Sequence, residues 1–282
     1  MTSNLYPQYK KMQTLAREQL LTLPVGLPIK VKPIVNYILN NENFEIYTYK
    51  DYAKLEGFEL TFDNIEKYFN SKDAKLVYNS NDDMYTLFYN SEMPSIRKAW
   101  TFAHELGHYF AGHYFAGHHF YIENDNVSKE LNNVLEQEAN CFARELLVPS
   151  GLVLYIADYY KSRDVISFYT ILRAIFNLSK EASFYIARDL SKVRKEYTER
   201  KIYENYIDII KRYYPFLYKK IFLNIPSRDD FYSWSIHYKY EYDPFSFYFY
   251  RTKPSPPSKF LKHYLFEKLI QSTDNEIKHI TH

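Results

Sequence analysis

The sequence contains a single cysteine, Cys141, so the chain can close no disulfide on itself and nothing in it calls for an oxidising compartment. Net charge is nearly absent: 36 basic side chains against 34 acidic ones leave +2, too little for a protein that grips nucleic acid over its whole surface. No stretch reaches the roughly 18 apolar residues that span a bilayer, and residues 1–30 lack the unbroken apolar run and small-residue site of a secretion signal. The expectation is a cytoplasmic protein with no membrane partner. Glycine is scarce as well, 6 residues in 282, whereas 31 Tyr and 21 Phe exceed ordinary globular usage. An AT-rich coding sequence is the simplest source of those aromatics. The length allows one large domain, or a catalytic domain with an appendage, and a sizeable buried core.

Hydrophobic periodicity predicts an amphipathic helix over residues 8–22, ending before Pro24, and a short helix over 33–39. Alternating aromatics predict a strand over 44–48, and a second short helix is expected around 64–68. KLVYNSNDDMYTLFYN reads as two further strands joined by a polar turn at 79–83. The pattern then turns helical: 95 to about 117, 128–147, 165–176, 179–192, and 193–222 with an interruption at Pro215. FYSWSIHYKYEYDPFSFYFYRT is expected to be a hairpin, followed by a PSPPS linker at 254–258 and a terminal helix. The fold class expected is α+β: a mainly helical domain with a small three-stranded sheet ahead of the histidine-rich helix, and an aromatic-rich α+β appendage. A boundary near residue 195 divides it into 1–194 and 195–282.

Five of the nine histidines crowd into AHELGHYFAGHYFAGHHF at 103–120, where HYFAG occurs twice in succession. His104 and His108 are four residues apart, so on a helix they differ by about 40° and one turn of rise and point toward a common point. Two imidazoles placed so can share a zinc ion. Glu105 lies on the same side, where its carboxylate can reach a water at the metal without becoming a ligand. On a continuous helix His113 is turned about 180° from His104, and His118 and His119 lie roughly 20 Å further along the axis. Those three are therefore read as surface or packing residues. The other reading is that Gly112 or Gly117 breaks the helix and returns one of them as a transition-state hydrogen-bond donor.

A catalytic zinc takes three protein ligands and keeps a fourth position open. The pattern HExxHxxGxxH is excluded because Ala111 and Tyr114 stand where Gly and His are needed, and every methionine lies upstream of the motif. A second helix, LEQEANCFARELLVP at 135–149, offers a carboxylate instead. Glu136 and Asn140 share a face flanked by Ala139 and Ala143, so that helix can come close. Glu136 can then bind the metal while Asn140 orients a neighbouring histidine. Glu138, about 200° from Glu136, is expected to be a solvated surface carboxylate. Cys141, about 140° from Glu136, is expected to be a small packing residue rather than a thiolate on the metal.

IRKAWTFAHELGH at 96–108 and EQEANCFARELLVP at 136–149 resemble the ImmA/IrrE family of zinc metallo-endopeptidases. Weaker likeness runs over about residues 10–192. The resemblance implies a zincin-like metallopeptidase domain in which His104, His108 and Glu136 hold one catalytic Zn2+ and Glu105 is the catalytic carboxylate. It also implies a protein substrate, namely a DNA-binding helix-turn-helix repressor of a mobile element or stress response. The duplicated HYFAG departs from the family pattern close to where a substrate would lie.

The chemistry expected is peptide-bond hydrolysis with Glu105 as general base, then acid. Tyr109, His113, Tyr114 and His118 are all open as further oxyanion donors. Arg97 is either a surface charge or a brace for the start of the zinc helix. Two other readings stand beside the protease: a non-catalytic regulatory binding module with a structural zinc, and a peptidase toxin paired with an antitoxin. In the binding-module reading, HYKYEYDPFSFYFYRT could stack on nucleic-acid bases or on a protein, although aromatic hairpin packing on the core is the better explanation because strands favour alternating aromatics.

Overall fold

Where the sequence alternates aromatic and small or polar residues, it forms strands, and where apolar residues recur every three or four, it forms helices. The computed structural model describes residues 6–61, 65, 68–69, 71–113, 129–192 and 195–242. Among these, helix α1 is Tyr9–Thr22, α2 Lys32–Asn41, strand β1 Phe44–Thr48, α3 Tyr49–Glu56, β2 Ala74–Asn79 and β3 Met84–Tyr89. Helix α4 follows at Ser95–Ala111, α5 at Lys129–Leu147, α6 at Ser150–Tyr159, α7 at Val165–Ala174, α8 at Lys180–Ser191, α9 at Lys195–Leu217 and α10 at Arg228–Tyr242. The fold is α+β and mainly helical, with one three-stranded sheet. No helix among the described residues is long and apolar enough to cross a membrane.

The strand order is β1-β3-β2, with β1 parallel and β2 antiparallel to β3. Leu76 and Leu87 pair across the central ladder and are fully buried, and this face of the sheet carries the aromatic layer formed by Phe44 and Tyr85. Tyr109 of α4 packs its ring edge-on against both, at centroid distances of 5.6 and 4.9 Å, which seats the end of α4 on the sheet. On its other side α4 packs along α5, and α1 packs along α5 as well, making α5 the central helix. Its Ala139, Phe142, Ala143 and Leu146 are completely buried.

Helix starts follow local chemistry. Thr48 caps α3 through Asp51 N, Asp164 caps α7 through Ser167 N, and Ser179 caps α8 through Ala182 N. Helix α6 falls where the sequence reading assigns no element. Pro149 ends one apolar helix and sits at the N-terminal boundary of the next, where its missing N–H is harmless. Pro215 does not interrupt α9; it lies inside the helix near its end, followed by a π-turn at Tyr218–Phe222. Of the expected helix at 64–68, Ile65 and Tyr68 are described and both are helical.

The chain divides into two compact units, Met1–Ser235 and Ile236–His282. Within the first, α9 packs on α6 and α1. The ring of Tyr206 covers Gly151, and its hydroxyl donates to the buried Glu145 carboxylate. The expected hairpin is corrected in its described part: residues 228–242 are helical. Ser227 and Asp230 explain why. Asp230 N donates to Ser227 Oγ at 3.1 Å and Ser227 N donates to Asp230 Oδ2 at 3.2 Å, a reciprocal capping box that starts a helix. Phe231 and Ser235 are buried at helical spacing, so the aromatics that looked alternating obey a period near 3.6. The remainder of that segment, the PSPPS linker and the terminal helix lie outside the described residues.

Candidate metal centre

Helices α4 and α5 contribute one turn each to a cluster of nitrogen and oxygen donors. His104 and His108 come from the C-terminal half of α4 and Glu136 from α5, and one donor atom from each lies within 4.8 Å of the others. His104 Nε2 and His108 Nε2 are 3.2 Å apart, His104 Nε2 is 3.2 Å from Glu136 Oε2, and His108 Nε2 is 3.6 Å from Glu136 Oε1. Donors held about 2.0–2.2 Å from a single tetrahedral ion stand roughly 3.3–3.6 Å from one another. The observed separations lie close to that range, with one oxygen of Glu136 facing each ring, so two imidazoles and a carboxylate are positioned to bind a metal ion. Like-facing imidazole nitrogens at this distance have no reason to converge on each other except around a shared ion or proton.

Each imidazole is held by its other nitrogen. His104 Nδ1 is 3.1 Å from Asn140 Oδ1, and Asn140 stands one turn after Glu136 on α5. A carbonyl oxygen can only accept, so His104 carries its proton on Nδ1 and turns a bare Nε2 to the cluster. Glu105 lies one residue from His104, and its Oε2 accepts from Leu76 N of β2 at 2.9 Å, which ties the carboxylate to the sheet. Burial raises the Glu105 pKa above the usual carboxylate range, against the pull of His108, His104 and the Leu76 N–H. Burial works on Glu136 in the same direction, but its close contacts with the His104 and His108 rings outweigh it and hold it well below that range. For His104 burial favours the neutral ring, yet Glu136 and Glu105 together hold its pKa above the ordinary histidine value.

Two readings of the sequence are corrected around this cluster. Helix α4 does not continue to residue 117. Gly112 adopts the left-handed conformation, φ 69°, and the amides of Gly112 and His113 return to the carbonyls of Tyr109 and His108. This is the Schellman stop, and it needs a residue without a Cβ penalty at that position. The reversal brings His113 back over the helix end, so it is buried rather than on the surface, with its Nδ1 2.8 Å from His108 Nδ1. Glu138 is not solvated either. It is 7% exposed, with Oε2 2.9 Å from His113 Nε2 and Oε1 accepting from Gln8 N at 2.6 Å. Its side of α5 faces the end of α4 and the start of α1, not water. Burial and the neighbouring His108 lower the His113 pKa to about 4 despite the pull of Glu138.

Tyr109 is occupied in the sheet contact described above, and Tyr114, His118 and His119 lie outside the described residues. Arg97 braces the start of α4, donating from Nε at 2.8 Å and from a terminal nitrogen at 2.5 Å to the same Asp73 oxygen just before β2. Cys141 is half-buried beside the backbone of Tyr9, and burial raises its thiol pKa to about 11. Sequence reading missed Lys75, a buried ammonium on β2 whose pKa burial lowers to about 8 while the charge of Glu105 opposes the shift.

A helix bearing HExxH, crossed by a second helix bearing the third donor, brings together a group that could hold a metal ion. Residues 62–185 match the family model of the IrrE N-terminal-like domain, Peptidase_M78, which supports the family resemblance of the two motifs. The matched segment includes β2, β3 and the helices α4 to α7, and thus every residue of the donor cluster. A search of curated proteins returns no match.

Proposed function

We propose that the protein is a zinc-dependent endopeptidase in which His104, His108 and Glu136 hold the ion and Glu105 is the catalytic base. The single observation behind this reading is the convergence of His104, His108 and Glu136, the ring nitrogens 3.2 Å apart and one carboxylate oxygen 3.2 or 3.6 Å from each, inside the segment that matches a peptidase family model. Two imidazoles and one carboxylate are a donor set suited to zinc, with a fourth position left for solvent or substrate. A zinc ion there supplies a Lewis acid that acidifies water and polarises the scissile carbonyl.

The chain's own residues do the rest. Glu105, fixed by Leu76 N–H, takes a proton from the attacking water and delivers it to the amine nitrogen as the C–N bond breaks. A base must also release its proton, and the raised pKa that burial gives Glu105 suits it to both halves of that transfer. Asn140 keeps His104 aimed throughout. The substrate we propose is a helix-turn-helix repressor of a mobile element or stress response, met in the cytoplasm. Support for that partner comes from the family resemblance of the two motifs.

Glu105→Gln tests the reading. The variant is expected to bind one equivalent of zinc as tightly as the wild type and to lose peptide hydrolysis by a factor of at least about 100. Full cellular function in a zinc-loaded, hydrolytically dead variant would instead favour a binding role.

A further inference from the structure

We propose that His113 and Glu138 form a positioning pair for the metal centre, fixing His108 in the tautomer that presents a bare Nε2 to the ion. The inference rests on the reading of His104, His108 and Glu136 as metal ligands, and it extends that reading to two residues outside the ligand set.

Three buried side chains, Glu138, His113 and His108, are linked in series. Glu138 ends it: Oε1 accepts from Gln8 N at 2.6 Å, and Oε2 lies 2.9 Å from His113 Nε2. A carboxylate offers only acceptors, so His113 must carry a proton on Nε2. A neutral ring then leaves Nδ1 bare, and Nδ1 of His113 is 2.8 Å from Nδ1 of His108. One of the two nitrogens must donate, and the only one able to is His108 Nδ1. The proton of His108 is thereby placed on Nδ1, and its Nε2 lone pair faces His104 Nε2 and Glu136 Oε1. Reversing any one bond would put the His108 proton on Nε2, where it would block coordination.

This arrangement has the same form as the one on the other imidazole. His104 Nδ1 donates to Asn140 directly, and His108 Nδ1 donates to Glu138 through the intervening ring of His113. The partner on the His108 side is an anion, so the relay also strengthens His108 as a donor. Burying an imidazole and a carboxylate away from water is unfavourable unless every polar atom is partnered, and here each one is. Two sequence features produce the pair. Gly112 turns the chain so that the first residue of the second HYFAG copy, His113, meets the first residue of the first copy, His108. The spacing of Glu136 and Glu138 puts one carboxylate at the ion and the next at the helix end.

The test begins with the metal-free wild-type protein, labelled with 15N, using long-range proton–nitrogen correlations of the histidine rings at neutral pH. His108 protonated on Nδ1 and His113 protonated on Nε2 are expected; His108 protonated on Nε2 would overturn the proposal without any variant being made. Zinc affinity is then measured by competition with a chromophoric chelator. His113→Ala and Glu138→Ala are expected to weaken zinc binding by roughly 10- to 100-fold. His113→Gln, whose amide can accept from His108 and donate to Glu138, is expected to recover most of it. Undiminished affinity in both alanine variants, or a glutamine variant no better than alanine, would show that the pair merely packs the helix end. Failure of the wild type to bind one equivalent of zinc would count against the ligand assignment itself, a separate result.

Discussion

A Cβ placed on Gly107 would stand 2.9 Å from both the Cα and the carbonyl oxygen of Ala139. The two helices that carry the metal donors thus touch backbone to backbone, one residue before His108 on α4 and three after Glu136 on α5. Gly107→Ala forces them apart by a few tenths of an ångström or more, because backbone cannot move aside as a flexible side chain can. The expected cost is roughly 1–3 kcal/mol in stability, read from a denaturant melt. Zinc affinity should fall in the same variant, since the separation opens between the imidazoles and Glu136.

Gly112 governs the exit from α4. At φ 69° a residue with a Cβ is strained by roughly 1–2 kcal/mol, so Gly112→Ala should destabilise the protein by about that amount. Asparagine tolerates the left-handed region better, and Gly112→Asn should lie between alanine and wild type. If the turn delivers His113 to His108, zinc affinity will follow the same ranking. Paired melts and chelator competitions on the three proteins check both orders.

The convergence of His104, His108, Glu136 and Asn140 was legible in the sequence because each pairing is local: two positions four apart on one helix, repeated on a second helix with small flanking residues. His113 was legible only in the second reading, in which Gly112 breaks the helix and returns a histidine, and the partners it meets there were not; past a left-handed residue, angles counted along a continuous helix lose their meaning. Glu138 failed for a related reason. Its helical angle does point it away from the metal, but away from the metal is toward the end of α4 and the first residues of α1, which only tertiary packing can place. The sheet was legible strand by strand, and β1 matches its expected bounds, whereas the aromatic segment after residue 230 was read at a period of two when Ser227 and Asp230 had already set a helix start.

Tyr206 ties α9 to the peptidase core through one buried acceptor. Its hydroxyl and that of Ser150 both donate to Glu145, whose side chain is almost completely enclosed. Tyr206→Phe removes one donor and leaves a buried carboxylate oxygen without it. The expected loss is roughly 1–3 kcal/mol, seen as a lower denaturant midpoint. Zinc affinity should be unchanged, because the hydrogen bonds of Glu145 run to Tyr206 and Ser150, at the far end of α5 from Glu136. Weaker zinc binding in this variant would mean that α9 shapes the metal centre as well as bracing the fold.

Asp164 offers a pH-resolved check on helix capping. Its carboxylate accepts from Ser167 N at 2.9 Å and Ser167 Oγ at 2.7 Å. Burial works to raise its pKa, but these bonds and one from Ser162 hold it below the ordinary value of 3.8. A carboxyl depressed in the folded state stabilises the fold above its unfolded pKa, and that contribution disappears as pH falls through the folded value. At pH 7, Asp164→Ala should lower stability by about 1 kcal/mol. The gap between wild type and variant should stay constant down to pH of about 4 and close below it, as protonation takes the cap from the wild type while the variant has none to lose. Denaturant titrations at a series of pH values measure that gap directly, and a gap that widened in acid would mean that Asp164 stabilises α7 by some means other than its charge-assisted cap.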